Sequence, residues 1–232
     1  MNNWALQQKL EGKKALILPL RVEPRTWFND SLNSRYVLLP GSIAVIMTLI
    51  GTLLTALVVA REWERGTMEA LMATPLRVSE MLLAKLVPYF LLGLAAMVMC
   101  VFLCVTLFGV PFRGSYFILS IATSVFLLAA LGLGLLVSST TRNQFVASQI
   151  SIIIGFIPAF MLSGFIFEIS SMPTYIQALT YIFPPRYFVT ILQSSFLSGT
   201  TWAFVFPSLV VMFLIALIFL GISVLKMRKR LD

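Results

Sequence analysis

Five apolar stretches, at about 37–60, 86–109, 116–138, 145–167 and 203–225, each run for 23 or 24 residues without an Asp, Glu, Lys or Arg. At 1.5 Å of rise per residue, such a segment forms a helix of about 35 Å, which crosses a hydrocarbon layer roughly 30 Å thick with some tilt. Backbone groups in lipid must bond within their own segment, so these stretches have to be helices. The expected fold is therefore all-α and integral to a membrane. A hydrophobic content of 59% in 232 residues agrees with this, because soluble domains hold about 45–50%.

The charges are confined to the gaps. Residues 61–80, REWERGTMEALMATPLRVSE, carry three Arg and four Glu in a chain that is only 11% charged. A charged side chain at mid-bilayer costs roughly 2.5–3.5 kcal/mol, so this island belongs at a membrane face. Within it Met68, Leu71 and Met72 recur at helical spacing, Thr67 stands where it could cap a helix, and Pro75 would stop one after Thr74. A short amphipathic helix along the membrane is predicted. It serves either as a solvated connection or as a docking surface for another protein, built from Glu62, Glu64, Arg65, Gly66, Thr67, Glu69, Thr74 and Pro75.

Basic residues near span ends set the orientation. With the island inside, the inner side holds Arg61, Arg65, Arg77, Lys85, Arg142, Lys226, Arg228, Lys229 and Arg230, against Arg113 and Arg186 outside. That asymmetry places the island and the C-terminus in the cytoplasm. It also puts residues 1–36, with six basic residues, outside. Short basic tails normally stay in the cytoplasm, so the expectation is that 1–36 is the remnant of an extracytoplasmic domain or an unplaced N-terminal segment, and 37–232 the membrane domain, the C-terminal part of a longer design. The net charge of +8 follows from topology and implies no nucleic acid; the final Lys-Met-Arg-Lys-Arg run is an anchor to anionic lipid.

Inside the spans, Thr48, Gly51, Thr52 and Thr55 share one face of the first. Close helix packing explains such a face; a lining for a transport route is the other reading. Lys85 should open the second span at the interface. The fourth span is interrupted by Gln149, Ser151, Gly155, Pro158, Ser163 and Gly164, with a kink expected at Pro158. Residues 168–202, EISSMPTYIQALTYIFPPRYFVTILQSSFLSGTTW, are too aromatic for a soluble loop. They predict two short helices that dip into the outer leaflet and return, broken at Pro184-Pro185, with Pro173 before them and Glu168 and Arg186 as a candidate ion pair.

What is missing narrows the function. His is absent, which removes the usual proton relay and general base. A secondary transporter or channel would be expected to place ionisable groups at mid-membrane depth, and a membrane enzyme would need converging polar groups. Cys100 and Cys104 lie one helical turn apart in an apolar span, where they act as small apolar side chains.

The order of features resembles a known family. REWERGTMEALMATPLRVSEMLLAKLVPYF is similar to the cytoplasmic segment of type-2 ABC exporter permeases, which carries an R-E-x-E-x-G-T-x-E-x-L-x-x-T-P stretch. LSGFIFEISSMPTYIQALTYIFPPRYF resembles their S-G-x-x-F-P-I-x-x-M-P region near the outer surface, with Glu168 standing where the family has proline. RVEPRTWFNDSLNSRYVLLPG looks like the last strand of their outside domain and the approach to the second helix. The resemblance covers residues 20–232 and implies a six-helix permease that lacks its first helix here. It further implies a bacterial inner-membrane protein, a second permease subunit (a copy or a related chain), an ATP-binding subunit docked on 61–80, and an amphipathic cargo such as a drug. A periplasmic adaptor is a further expected partner. The chain contains no G-x-x-x-x-G-K-[ST] loop, so it binds no cofactor directly and ATP would act through a partner. An inactive or regulatory fragment is the alternative that this reading leaves open.

Overall fold

The computed structural model describes residues 34–74, 78–199 and 201–226. The readings made for residues 1–33, for Pro75 and Arg77, and for the basic run after Lys226 lie outside the described residues. Those described are mostly helical, and five helical segments among them are long and apolar enough to cross a membrane.

α1 spans Arg35–Glu64, so the first span starts before residue 37 and takes in the beginning of the charged island. α2 is Thr67–Met72. α3 spans Val78–Thr106, beginning eight residues before the expected start at 86. Lys85 therefore lies inside the helix and does not open it, because its charge is met by Glu62 of α1 and not by water alone. α4 spans Tyr116–Thr141.

The fourth span departs most from expectation. α5 (Gln144–Ser151) runs into a π-helical turn (Ile152–Phe156) and then α6 (Ile157–Met161). Pro158 has no N–H to donate to Ile154, and the Ile157 N–H reaches back to the Ile152 carbonyl, five residues away. The expected kink is thus a widened turn, and the helix ends at Met161, not at 167. Gly164 then reverses the chain at φ +84°, a conformation that suits glycine.

α7 (Thr174–Thr180) and α8 (Pro184–Leu197) follow as two short helices. The break falls at residues 181–183, and Pro184 and Pro185 start α8 instead of breaking it. A first-turn N–H has no intrahelical acceptor, so proline there removes nothing that is needed. α9 spans Trp202–Lys226.

α4 is the central element. Its most apolar window is 72% buried, against 61% for α1 and 22% for both α3 and α9. Small residues make this possible: Ala122, Ala129, Ala130, Gly132 and Gly134 let α1 and α9 approach closely along its length. α8 adds Phe188, which stacks on Phe126 of α4 with ring centroids 4.1 Å apart and planes 6° off parallel. The poorly buried faces of α3 and α9 are the apolar surfaces a bilayer would cover.

Side-chain contacts define two ends. At one end Lys85 meets Glu62, Asn143 meets Glu64, and Lys226 Nζ donates to Thr140 Oγ1 at 2.9 Å. At the other, Arg113 donates to the Leu197 carbonyl at 3.2 Å, and Phe112 packs edge-on against Phe196. The charges concentrate at the first end, as the asymmetry of basic residues requires.

Candidate functional site

The island is built into the bundle. α1 continues through Glu64, and the chain turns at Arg65-Gly66, where Gly66 has φ +68° and open space around it, so the conformation alone requires glycine. α2 is then held from beneath by Met68. That side chain is fully buried among Val59, Met81, Leu82, Leu86, Leu131 and Leu135, from α1, α3 and α4. Burial of this kind stabilises by about 2 kcal/mol. Thr67 does not cap α2 through its side chain as expected: it is the first residue of the helix, and its hydroxyl donates to the Glu62 carbonyl at 3.1 Å.

Around this pin the polar groups pair across elements. Lys85 forms an ion pair with Glu62, and its Nζ also lies 3.3 Å from Met68 Sδ. Lys85 is 13% exposed and Glu62 29%, so Glu62, one of the predicted docking residues, is turned partly toward the bundle and engaged by Lys85. The Arg142 guanidinium sits 4.5 Å above the Trp63 ring. Asn143 has two roles: its Oδ1 accepts from the Val146 N–H at 3.0 Å, capping α5, while its Nδ2 donates to Glu64 Oε1 at 3.1 Å. Arg61 Nε donates to Gln144 Oε1 at 3.4 Å. The end of α1, the start of α2 and the α4–α5 turn therefore form one cross-linked corner.

Of the predicted docking residues, Glu64, Arg65, Gly66 and Thr67 are exposed, and Thr74 is half-buried with its N–H on the Leu71 carbonyl at 3.2 Å. Glu69 lies on α2, though its side chain is not among those described, and Pro75 is outside the described residues. The sequence reading missed Trp63, Asn143 and Gln144 as members of this corner. Only their closeness to charged turns pointed to them; no spacing brings 61–64 to 142–144.

Thr48, Gly51, Thr52 and Thr55 all lie buried where α1 meets α4 and the π turn. The Thr48 and Thr52 hydroxyls donate to carbonyls one turn back, each at 2.7 Å. A Cβ on Gly51 would meet Ala130 Cβ at 2.7 Å, one on Gly134 the Thr52 carbonyl at 2.5 Å, and one on Gly155 Thr52 Oγ1 at 2.8 Å. Close packing explains the small residues. A narrow cleft nevertheless joins Thr48 and Thr52 to Phe183, Pro184 and Pro185, and the buried Thr55, Ser138 and Ser151 hydroxyls have no hydrogen-bond partner among the described residues.

At the end of the bundle opposite that corner, Ser163 Oγ accepts from the Phe165 N–H at 3.3 Å beside Gly164. Pro173 precedes α7 and accepts from the Gln177 N–H at 3.1 Å. Arg186 does not pair with Glu168. Its guanidinium donates to the Gln177 carbonyl at 3.3 Å and to Thr180 Oγ1, and lies 3.7 Å over the Tyr181 ring. Carbonyls at a helix C-terminus and an aromatic face both favour a cation, and together they hold it on α7. Tyr187 donates to the Tyr181 carbonyl at 3.0 Å. Glu168 is exposed.

Five helices long and apolar enough to cross a membrane, with a charged corner at one end, mark a multi-pass membrane protein. Comparison with known proteins is consistent with this. The family described as "ABC-2 family transporter protein" matches residues 1–225. The chain is 47% identical over 229 residues to "Probable multidrug ABC transporter permease YbhS" of Escherichia coli K12, covering 99% of this chain and 61% of that one. It is 31% identical over 211 residues to "Probable multidrug ABC transporter permease YbhR" of the same strain, covering 88% and 56%. The "Inner membrane transport permease YhhJ" is 28% identical over 216 residues, covering 90% and 56%. The chain belongs to the ABC-2 family of transporter permeases, and it spans about three-fifths of the length of these relatives.

Proposed function

We propose that this chain serves as the membrane-spanning subunit of an ATP-driven exporter that moves an amphipathic small molecule outward, with ATP hydrolysed by a separate subunit docked at the α1–α2 corner. The carrying observation is mechanical. α2 is fixed to α1, α3 and α4 through Met68, which also meets Lys85 of the α1–α3 pair Glu62–Lys85, while Arg65 and Thr67 face outward. A push on that rim would be delivered to α1 and, through Asn143, to α5 and the π turn. Those elements border the Thr48–Thr52 face and its cleft toward Pro184-Pro185, which supports a route along this seam. The corner lies in the cytoplasm in this reading, and α7–α8 form a re-entrant pair in the outer leaflet. A second permease subunit, a copy or a related chain, completes the pathway, and the relatives' names favour drug-like cargo.

Co-purification with a co-expressed ATP-binding subunit of the ABC type tests the docking. R65E should lower retention of that subunit about tenfold and leave the unfolding midpoint of the permease unchanged, because Arg65 is exposed. Full retention would place docking elsewhere.

A further inference from the structure

Past Met161 the chain turns back and frames an open cleft of about 400 Å³ between the end of α6, the 3₁₀ turn Ile169–Ser171 and the start of α7. Its walls include Met161, Phe167, Met172 and Ile176, and its one charged group is Glu168. Met161 and Phe167 are 47% and 54% exposed, so the apolar wall is open to an occupant. Pockets for drug-sized ligands begin at about 300 Å³ and combine an apolar lining with a few fixed polar groups.

The charge is what makes this cleft selective. Every other acidic residue among those described (Glu62, Glu64, Glu69 and Glu80) belongs to the opposite end of the bundle. Of the described cations at this end, Arg186 is held by Gln177, Thr180 and Tyr181 and Arg113 by the Leu197 carbonyl, while Arg35 at the start of α1 has an interaction of its own. Glu168 has no ion-pair partner among the described residues, and its backbone is fixed because its carbonyl accepts from the Ser171 N–H at 3.0 Å. A carboxylate held beside thioether, phenyl and isopropyl-like surfaces near low-dielectric material attracts a cation more strongly than one in bulk water. An anion would be repelled, and a sugar would find few polar partners. The larger groove of about 450 Å³ along α3 and α4 has no charged group in its lining and offers no such selection.

We infer that this outer cleft binds amphipathic organic cations, with Glu168 holding the positive centre and the Met161–Phe167–Ile176 surface holding the apolar body. Placing the cleft on an export path rests on the exporter reading above; the binding itself does not. The test uses the full chain in phosphatidylcholine nanodiscs, titrated with tetraphenylphosphonium and, for comparison, with neutral triphenylphosphine oxide, and corrected for empty nanodiscs. E168Q should weaken tetraphenylphosphonium binding about tenfold and leave the neutral compound unaffected, whereas E168D should retain most of the affinity. I176Q should weaken both compounds. Equal cation affinity in wild type and E168Q, or equal losses for both compounds in E168Q, would overturn the inference. Glu168-dependent binding with no ATP-dependent export by the assembled transporter would leave the site standing and count against the exporter reading; export of the cation unaffected by E168Q would do the reverse.

Discussion

Replacing Gly134 by valine is expected to be among the most damaging single changes in this chain. A Cβ there would lie 2.5 Å from the Thr52 carbonyl oxygen and 2.9 Å from Thr55 Cβ. The nearer neighbour is backbone, so no rotamer change relieves the clash, and α1 and α4 must separate along the seam where Gly51 also meets Ala130. Overpacking of this kind costs about 3 kcal/mol, which for a chain of this size lowers the unfolding midpoint by roughly 6–12 °C. Gly221 supplies the control, since a Cβ there meets nothing within 4 Å, and G221V should move the midpoint by less than about 2 °C. Thermal unfolding of the detergent-solubilised variants gives the comparison. Equal effects at the two glycines would mean that the α1–α4 seam is not close-packed as described.

The second large effect concerns Glu62 and Lys85. E62K places two ammonium groups together where Lys85 is 13% exposed, and K85E does the same with two carboxylates. Each single change should cost about 2 kcal/mol, less than for a fully buried pair because Glu62 keeps some water contact. The charge-swapped double variant E62K/K85E keeps the combined reach of the two side chains and should recover most of the loss; the contact of Lys85 with Met68 Sδ is what it cannot restore. A coupling energy well above zero in the double-mutant cycle is the expected result. If Glu62 instead faced a docking partner, E62K would alter retention of the ATP-binding subunit, leave stability intact and show no coupling to position 85.

These two sites also mark where the sequence stops being informative. The five spans could be read because hydrocarbon thickness and the cost of buried charge are strong, one-dimensional constraints, and the turns between them collect the Lys, Arg and Glu. Ends were harder to read. α3 begins at Val78 and carries Lys85 inside it because a distant carboxylate neutralises that lysine, and nothing local to 78–86 announces this. Pro184-Pro185 read as a break because proline ends helices, yet proline also begins them, and only the packing of Phe188 on Phe126 selects the second use.

The site shows the same division. Met68 was legible from its helical spacing with Leu71, and its burial fits that spacing. Asn143 was not, since its significance lies in bridging Glu64 and the first turn of α5 across 79 residues of chain. Small residues on the first span were legible as a face, and the structure buries that face against Ala130, Gly134 and Gly155. Glu168 and Arg186 looked like partners by opposite charge alone. The C-terminal carbonyls of α7 and the Tyr181 ring offered the arginine a nearer site, which left the carboxylate at the mouth of its cleft.

Most of the functional reading depends on which side of the membrane holds the α1–α2 corner. The direct measurement is accessibility in a background where Cys100 and Cys104, the two native thiols, are changed to alanine. R65C and E168C are introduced one at a time and exposed to a membrane-impermeant maleimide in intact spheroplasts and again after permeabilisation. E168C is expected to label in both conditions and R65C only after permeabilisation. Labelling of R65C in intact spheroplasts, with E168C protected, would invert the topology and contradict docking of an ATP-hydrolysing subunit at that corner.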